Sequence, residues 1–289
     1  MKKQFLKVAS LIILFAAFHT SHSQVSEITL TKLWETDTIL KTAEAIRYHP
    51  EKEMIFVSNI GGVPPNKKDG DGYIALLSKD GKIVEKEWVT GIHAPKGLHF
   101  FNNKLFVGDI DTVVEIDIET GKIENNHPIT DAVFINDLDI DANGDIYVTD
   151  SQDEKVFKLA NGKSSLWLDL KGFYPNGILV EESRILILSS SKGELIAIDK
   201  LTQEKTVLAS GVRGGDGIVP INEGYLLSAF QGEIYFADKN KGNIPAVKLL
   251  DTRANKLNTA DMSFIPNENI VLVPTFYGNT VVAYKLDYK

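Results

Sequence analysis

Residues 176–217 read NGILVEESRILILSSSKGELIAIDKLTQEKTVLASGVRGGDG. Four short apolar or alternating segments occupy residues 178–180, 184–189, 194–199 and 205–209 of this stretch. The turns between them carry Glu-Ser, Lys-Gly and Thr-Gln, which are typical loop residues. Because the segments are short and no 3.6-residue periodicity joins them, the stretch predicts four antiparallel β-strands.

The same unit recurs along the chain. Its opening, a polar residue before an apolar run, appears six times, and the steps between the openings are 52, 40, 40, 40 and 45 residues. Equal steps of 40 residues indicate internal duplication, and four-stranded units of that period are typical of propeller blades. We therefore expect an all-β fold, a six-bladed β-propeller of four-stranded antiparallel blades. The opening residues are Glu44, Lys96, Asn136, Asn176, Asp216 and Asp261.

The two ends of the chain predict how the ring closes. After Asp261 only three strand segments remain, at residues 262–265, 269–274 and 280–286. A spare segment at residues 28–34 precedes the first repeat, and docking it on the last blade would protect an open sheet edge. The first repeat is longer than the others because of residues 59–72, a Gly- and Pro-rich stretch that we expect to overhang the channel mouth or to form a mobile surface insertion.

The first 23 residues have the pattern of a signal peptide. Lys2, Lys3 and Lys7 precede an apolar run at residues 8–18, and small residues precede a cleavage position before Gln24. The alternative is an uncleaved anchor, but the run is shorter than the about 20 residues of a membrane span. The sequence thus predicts a periplasmic or secreted protein whose residues 24–289 form a single domain.

Composition excludes several classes of protein. The formal net charge is −8, and outside the leader no Lys/Arg-rich run offers a surface for nucleic acid or anionic membrane. Cysteine is absent, so the chain has no disulfide, thiolate nucleophile or thiolate metal site. We expect a monomer that acts on a small molecule.

The opening residues predict a cation site. In a propeller the first strand of each blade lines the channel, so the six openings form a ring with three carboxylates, two amides and Lys96. Converging oxygen ligands favour a divalent cation, and calcium prefers carboxylate and amide oxygens. The alternative is that Asn-Asp, Asn-Gly and Asp-Gly are only turn dipeptides.

Three parts of the chain resemble a known family. They are residues 135–137 with 141–150 (IND, DANGDIYVTD), residues 175–178 (PNGI) and residues 215–218 (GDGI). In this order and spacing they resemble the gluconolactonase, senescence-marker and luciferin-regenerating-enzyme family of calcium-dependent six-bladed propellers. The resemblance implies that calcium binds to Glu44, Asn136, Asn176 and Asp216. The chain departs from the family at Ala45-Ile46, where relatives have Gly-Pro, and no counterpart of their substrate-binding arginine is found.

The resemblance implies a calcium-dependent hydrolase of lactones or esters. Asp216 is then the candidate base, and Lys96 either stabilises the oxyanion or only balances charge. We expect further pocket residues at the openings and at the ends of the second strands: Asp137, Asp261, Asp109, Asp150, Ser189 and Phe230. The alternatives are a non-catalytic binding module with a structural calcium and an extracytoplasmic scaffold without metal.

Overall fold

The computed structural model describes residues 28–288, which form six β-sheets. Each sheet is one blade, and the blades follow one another along the chain, except that the first strand belongs to the last blade and residues 244–245 join the fourth blade. The strands of the first half are β1 (Ile28–Glu35), β2 (Ala43–His49), β3 (Met54–Asn59), β4 (Gly72–Ser78), β5 (Ile83–Ile92), β6 (Pro95–Phe101), β7 (Lys104–Asp109), β8 (Thr112–Asp117), β9 (Ile123–Pro128), β10 (Ile135–Ile140), β11 (Ile146–Asp150), β12 (Lys155–Ala160) and β13 (Lys163–Asp169).

The second half continues the pattern and adds two 3-10 helices, η1 (Arg253–Asn255) and η2 (Pro266–Glu268). Its strands are β14 (Pro175–Val180), β15 (Arg184–Ser189), β16 (Leu195–Asp199), β17 (Lys205–Ser210), β18 (Gly215–Ile221), β19 (Gly224–Ala229), β20 (Glu233–Asp238), β21 (Ile244–Pro245), β22 (Val247–Asp251), β23 (Ser263–Ile265), β24 (Ile270–Pro274) and β25 (Val281–Tyr288). The expected six-bladed propeller of four-stranded antiparallel blades is confirmed.

The N-terminal strand closes the ring. β1 pairs antiparallel with β25 from Ile28 opposite Tyr288 to Glu35 opposite Val282, so the last blade has the strand order β1-β25-β24-β23. The backbone N–H of Thr36 continues this pairing by donating to the carbonyl of Val281 at 3.0 Å. The predicted docking of the N-terminal strand on the last blade is therefore confirmed.

Apolar clusters fill the space between neighbouring blades. Phe56 and Ile74 of the first blade, for example, pack in one cluster with Leu98, Val107 and Ile116 of the second. The inner three strands are rich in Ile, Leu and Val and are almost wholly buried, whereas outer strands such as β13 and β17 keep polar, exposed residues. This gradient explains the sequence pattern, since the outermost strand of a blade is the most exposed to water.

A bulge at the start of the innermost strand turns side chains towards the axis. In blades one to five the register between the first two strands shifts at this point, for example between Pro175 and Ile178. The bulged residues leave the ladder, so their side chains can point into the channel. The bulge also brings adjacent inner strands close together: a Cβ on Gly177 would lie 2.0 Å from the carbonyl oxygen of Asp216.

Two connections depart from a plain four-stranded blade. Residues 60–71 between β3 and β4 form the long loop of the first blade. Between β20 and β22 of blade five, β21 crosses to blade four and pairs in parallel with its outer strand β17. The N–H groups of Asn243 and Ala246 donate to the carbonyls of Leu208 and Ser210, each at 2.9 Å, and extend this junction.

Within residues 28–288 no helix is long and apolar enough to cross a membrane. The predicted signal peptide lies outside the described residues, so its prediction stays open.

Candidate active site

A cavity of about 360 Å³ lies where the inner strands begin, at one mouth of the channel. Five of the six blade openings line it, and the remaining wall comes from loops between strands. Its lining residues are Glu44, Ile60, Pro65, Lys96, Phe134, Asn136, Asn176, Ser190, Gly214, Asp216, Phe230, Gln231, Phe276 and Tyr277. The four predicted calcium ligands and Lys96 are therefore neighbours in space, and the long loop of the first blade reaches the cavity through Ile60 and Pro65.

Glu44 and Asp216 are buried acids whose oxygens are not all paired. Their exposed fractions are 5% and 4%, and Glu44 Oε2 and Asp216 Oδ1 have no hydrogen-bond partner among the described residues. Burial, together with repulsion from Asp216 and Asp261, raises the pKa of Glu44 well above its usual range. Burial and the nearby Asp137 raise the pKa of Asp216 to about 8. Two such acids at one mouth favour either protonation or a bound cation.

Asn136 and Asn176 open neighbouring blades and are held by hydroxyl groups of the third blade, to which Asn136 belongs. The Nδ2 of Asn136 donates to Ser151 Oγ at 3.0 Å, which turns the amide oxygen away from Ser151. Ser151 Oγ in turn donates to the carbonyl of Pro175 at 2.6 Å, and Thr149 Oγ1 donates to the carbonyl of Asn176 at 2.6 Å. The hydroxyls of Thr149 and Ser151, at the end of β11, thus fix the main chain that carries the two amide side chains.

Lys96 brings a positive charge into the same cavity. Its side chain is almost fully buried, its Nζ donates to the carbonyl of Ala94 at 3.0 Å, and the ring centroid of Phe134 lies 4.5 Å from Nζ. Burial lowers the pKa of Lys96 to about 8, although Glu44 and other acids oppose the shift. Among the described ion pairs none involves Lys96, so its ammonium keeps donors for a ligand in the cavity.

Asp137 and Asp261 do not line the cavity, and each lies instead beside the glycine that follows the opening residue of the preceding blade, Gly97 and Gly217 respectively. The Oδ1 and Oδ2 atoms of Asp137 accept backbone N–H groups of Leu138 at 2.8 Å and Ile178 at 3.0 Å, and burial raises its pKa to about 6. The backbone N–H of Asp261 donates to the carbonyl of Glu44 at 3.0 Å. Neither carboxylate oxygen of Asp261 has a hydrogen-bond partner among the described residues, and burial raises its pKa well above the usual range.

Arg47, His99 and Asp139, which were not among the predicted site residues, form a deeper layer together with Asp137 and Asp261. Arg47 Nη1 lies 3.5 Å from Asp261 Oδ2 and donates to the carbonyl of Met262 at 2.9 Å. His99 Nδ1 lies 2.8 Å from Asp139 Oδ1. Arg47 lies three residues after Glu44 and Asp139 three after Asn136, so the deeper layer could have been found by following each inner strand beyond its opening.

Three predicted pocket residues instead hold loops in place. Asp109 accepts the backbone N–H groups of residues 93 and 94 at 2.9 and 2.7 Å, and Asp150 accepts those of residues 133 and 134 at 2.6 and 3.1 Å. Ser189 donates to the carbonyl of Phe173 and accepts the N–H of residue 192 at 2.8 Å. These side chains shape the loops that precede the openings, whereas Phe230, the remaining pocket prediction, lines the cavity.

The residues present fit a divalent cation. No group of three or more His, Asp or Glu within residues 28–288 has the arrangement of metal ligands, so carboxylates alone would not suffice. Calcium also accepts amide oxygens, and the cavity combines two amides with two acids that have unpaired buried oxygens. The residues that would hold it are Glu44, Asn136, Asn176 and Asp216.

The fold and the cavity define a six-bladed propeller with a polar site on its axis. Solved structures of the same architecture include a gluconolactonase from Xanthomonas campestris (14% identity, 86% of this chain and 88% of that chain, TM-score 0.64). Others are a putative gluconolactonase (14% identity, 91% and 93%, TM-score 0.64) and a catalytically inactive virginiamycin B lyase from Staphylococcus aureus with quinupristin (12% identity, 90% and 100%, TM-score 0.63).

The first two carry the name of the family that the sequence resembles, whereas the third is a lyase. At these identities the likeness shows the fold. No protein-family profile and no curated protein sequence matches the chain.

Proposed function

We propose that the chain is an exported, calcium-dependent hydrolase that opens small lactones or esters in the axial cavity. The observation that carries this proposal is the meeting of Glu44, Asn136, Asn176 and Asp216 with Lys96 around one cavity of about 360 Å³. This volume suits a small molecule. The unpaired buried oxygens of Glu44 and Asp216 support a cation there.

A bound divalent cation would polarise the substrate carbonyl as a Lewis acid and would keep Glu44 and Asp216 ionised. The side chains of the cavity then divide the remaining work. Lys96 Nζ, held by the carbonyl of Ala94 and the ring of Phe134, donates a hydrogen bond to the oxygen that becomes negative. Asp216 Oδ1, which has no hydrogen-bond partner within residues 28–288, accepts a proton from the attacking water.

The reaction balances with water as the only co-reactant. The water oxygen bonds to the carbonyl carbon, and one of its protons passes to Asp216. The bond between the carbonyl carbon and the alkoxy oxygen then breaks, and the alkoxy oxygen receives the proton. A lactone yields a hydroxy acid, and an ester yields an acid and an alcohol.

The test uses residues 24–289, stripped of metal and assayed on a panel of lactones and aryl esters with added calcium or with chelator. Calcium should raise the melting temperature and restore turnover. Asp216→Asn should lower kcat by about 10²–10⁴-fold, the usual contribution of a positioned acid or base. Glu182→Gln, in the exposed turn between β14 and β15, serves as the control and should leave kcat and the calcium-dependent rise in melting temperature unchanged.

Two results would contradict the proposal in different ways. Stabilisation by calcium without turnover of any substrate would support a binding module with a structural cation. Turnover that is indifferent to calcium and chelator would remove the metal from the proposal and leave a metal-independent hydrolase.

A further inference from the structure

Apolar and aromatic side chains cover much of the wall around the proposed reaction centre. Phe230, Phe276 and Tyr277, here called the aromatic wall, line the cavity together with Ile60 and Pro65. The rings of the wall pack edge to face, with centroids 5.0 Å apart for Phe230 and Phe276, 4.7 Å for Phe276 and Tyr277, and 6.2 Å for Phe230 and Tyr277. Such contacts favour one fixed arrangement of the three rings.

The aromatic wall is bonded to the backbone beside the two acids. The N–H of Phe276 donates to the carbonyl of Ala43, the residue before Glu44, at 3.0 Å. The N–H of Phe230 donates to the carbonyl of Gly214, two residues before Asp216, at 2.8 Å. The wall therefore stands next to the residues that would hold the cation and accept the proton.

The aromatic wall also exposes apolar surface to water. Phe276, the buried end of the aromatic wall, is 6% exposed, whereas Tyr277, its outer end, is 61% exposed. A substrate that spans this gradient would cover apolar ring surface as it enters, which favours binding.

Apart from the five residues that open the blades, the cavity offers few polar groups to a hydroxylated substrate. Of the residues that the structure describes, no arginine lines the cavity, and the other polar side chains there are those of Ser190, Gln231 and Tyr277. Ser190 Oγ already donates to the carbonyl of Tyr174 at 3.2 Å. A Cβ on Gly214 would lie 2.0 Å from Gln231 Oε1, so Gln231 is packed down on the backbone of Gly214. Sugar hydroxyls placed against the wall would lose hydrogen bonds to water without replacement.

We propose that the substrate carries an apolar ring or alkyl group that lies on the aromatic wall while its carbonyl faces Glu44, Lys96 and Asp216. The substrate class is thus an aryl or alkyl lactone or ester, and polyhydroxylated sugar lactones are poor substrates. This inference rests on the proposed function for its carbonyl chemistry. It rests on Phe230, Phe276 and Tyr277 for its specificity.

The experiment compares six-membered lactones that differ in the group they present. We expect kcat/KM to rise at least about tenfold from δ-valerolactone to an alkyl-substituted δ-lactone and to dihydrocoumarin, a gain within reach of added methylenes in an apolar pocket. Glucono-δ-lactone should be the poorest of the set. Tyr277→Ala and Phe230→Leu should lower kcat/KM for the alkyl and aryl lactones by a clearly larger factor than for δ-valerolactone.

A matched control and a binding measurement keep the two proposals separable. Leu201→Ala removes an exposed apolar side chain in the turn between β16 and β17 and should change no substrate preference. Binding is measured by saturation-transfer NMR with β-tetralone, the carbocyclic analogue of dihydrocoumarin, against a pentahydroxycyclohexanone. The apolar ketone should bind more tightly, and Tyr277→Ala should weaken it.

Hydrolysis of glucono-δ-lactone as fast as the alkyl lactones, with wall variants that change nothing, would overturn the inference and leave the hydrolase standing. If no lactone or ester is hydrolysed, the proposed function fails. The ketone pair then decides the inference by itself: equal binding of the two ketones overturns it, and preference for β-tetralone upholds an apolar ligand.

Discussion

Glu44, Asp216 and Asp261 are acids whose surroundings favour their neutral forms. All three are nearly fully buried, and each repels at least one of the others or Asp137. The nearest positive charges are Lys96 and Arg47, which offset only part of this repulsion. The charge of these acids should therefore depend on pH and on whether a cation is bound.

We predict that the metal-free protein becomes less stable as the pH rises from 5 to 8. The pKa of Asp216 is raised from 3.8 to about 8, so the native state keeps a proton in this range that the unfolded chain has released. The free energy of unfolding must then fall with rising pH. Thermal melts in chelator should show the fall, and Asp216→Asn, which has no ionisable proton at this position, should make the fall smaller, while Glu44 and Asp261 still contribute to it.

Calcium should oppose this trend, because it binds the ionised acids and its effect is therefore larger at pH 8 than at pH 5. Glu182→Gln serves again as the exposed control. Equal pH slopes for Asp216→Asn and the Glu182 variant would show that Asp216 does not carry the proton.

For single residues, the sequence predicted which side chains lie at the cavity better than it predicted which hydrogen bonds they make. Glu44, Asn136, Asn176 and Asp216 could be found because each opens a repeat and therefore lies at the same level of the channel. The hydrogen bonds that occupy Asp109, Asp150 and Ser189 depend on how the preceding loops fold back, which spacing does not reveal. Phe276 and Tyr277 are not predictable from the repeat, because they follow the second strand of blade six by two and three residues, in a turn whose length differs from those of the other blades.

The bulged inner strand is the element that makes the site. It frees the opening residues from the ladder, and it needs small residues where neighbouring strands meet. Gly97 and Gly217 show the same constraint as Gly177, since a Cβ on them would lie 2.2 Å from Asp137 Oδ1 and 2.4 Å from Asp261 Oδ1.

We predict that Gly177→Ala destabilises the protein by about 1–3 kcal/mol, the usual cost of overpacking. The added methyl would meet the carbonyl oxygen of Asp216, a backbone atom that can move only with its strand. The melting temperature should fall by roughly 2–4 °C for each kcal/mol lost. Gly242→Ala is the matched control, since nothing lies within 4 Å of its added Cβ. An unchanged melting temperature for Gly177→Ala would mean that the inner strands are not closely apposed.

Strands were predictable from sequence where their patterns are plain. The segments predicted at residues 184–189 and 205–209 correspond to β15 and β17 within one residue, because Gly and polar turns bound them on both sides. β21 is not predictable from the sequence, since it has only two residues, Ile244 and Pro245, and pairs with a strand of the neighbouring blade. The two 3-10 helices are single turns with no periodicity to detect.

For the molecule as a whole, we predict that a chain starting at Thr36 loses cooperative thermal unfolding and aggregates, whereas a chain starting at Gln24 does not. Removal of β1 would leave the whole of β25 as an unpaired edge and open the last blade. The measurement is a thermal melt with light scattering. Leu33→Ala is the control, because Leu33 is 48% exposed at the irregularity of the β1–β25 pairing and should change stability by less than about 0.5 kcal/mol. A monomeric, cooperatively melting chain from Thr36 would show that closure does not depend on β1.

Closure was predictable because strands could be counted: the last repeat lacked one and residues 28–34 supplied it. The shape of the cavity was not, since it depends on turns of blades one, five and six that have no counterpart elsewhere in the repeat.

The pairing of β21 with β17 should slow the transient separation of blades four and five. Blades four and five share main-chain hydrogen bonds at the outer rim, where neighbouring blades of a propeller are farthest apart. A fluctuation that parts these two blades must break the bonds from Asn243 and Ala246 as well as separate apolar side chains. Their amides, although they belong to an exposed surface excursion, should therefore exchange with deuterium as slowly as amides of a sheet.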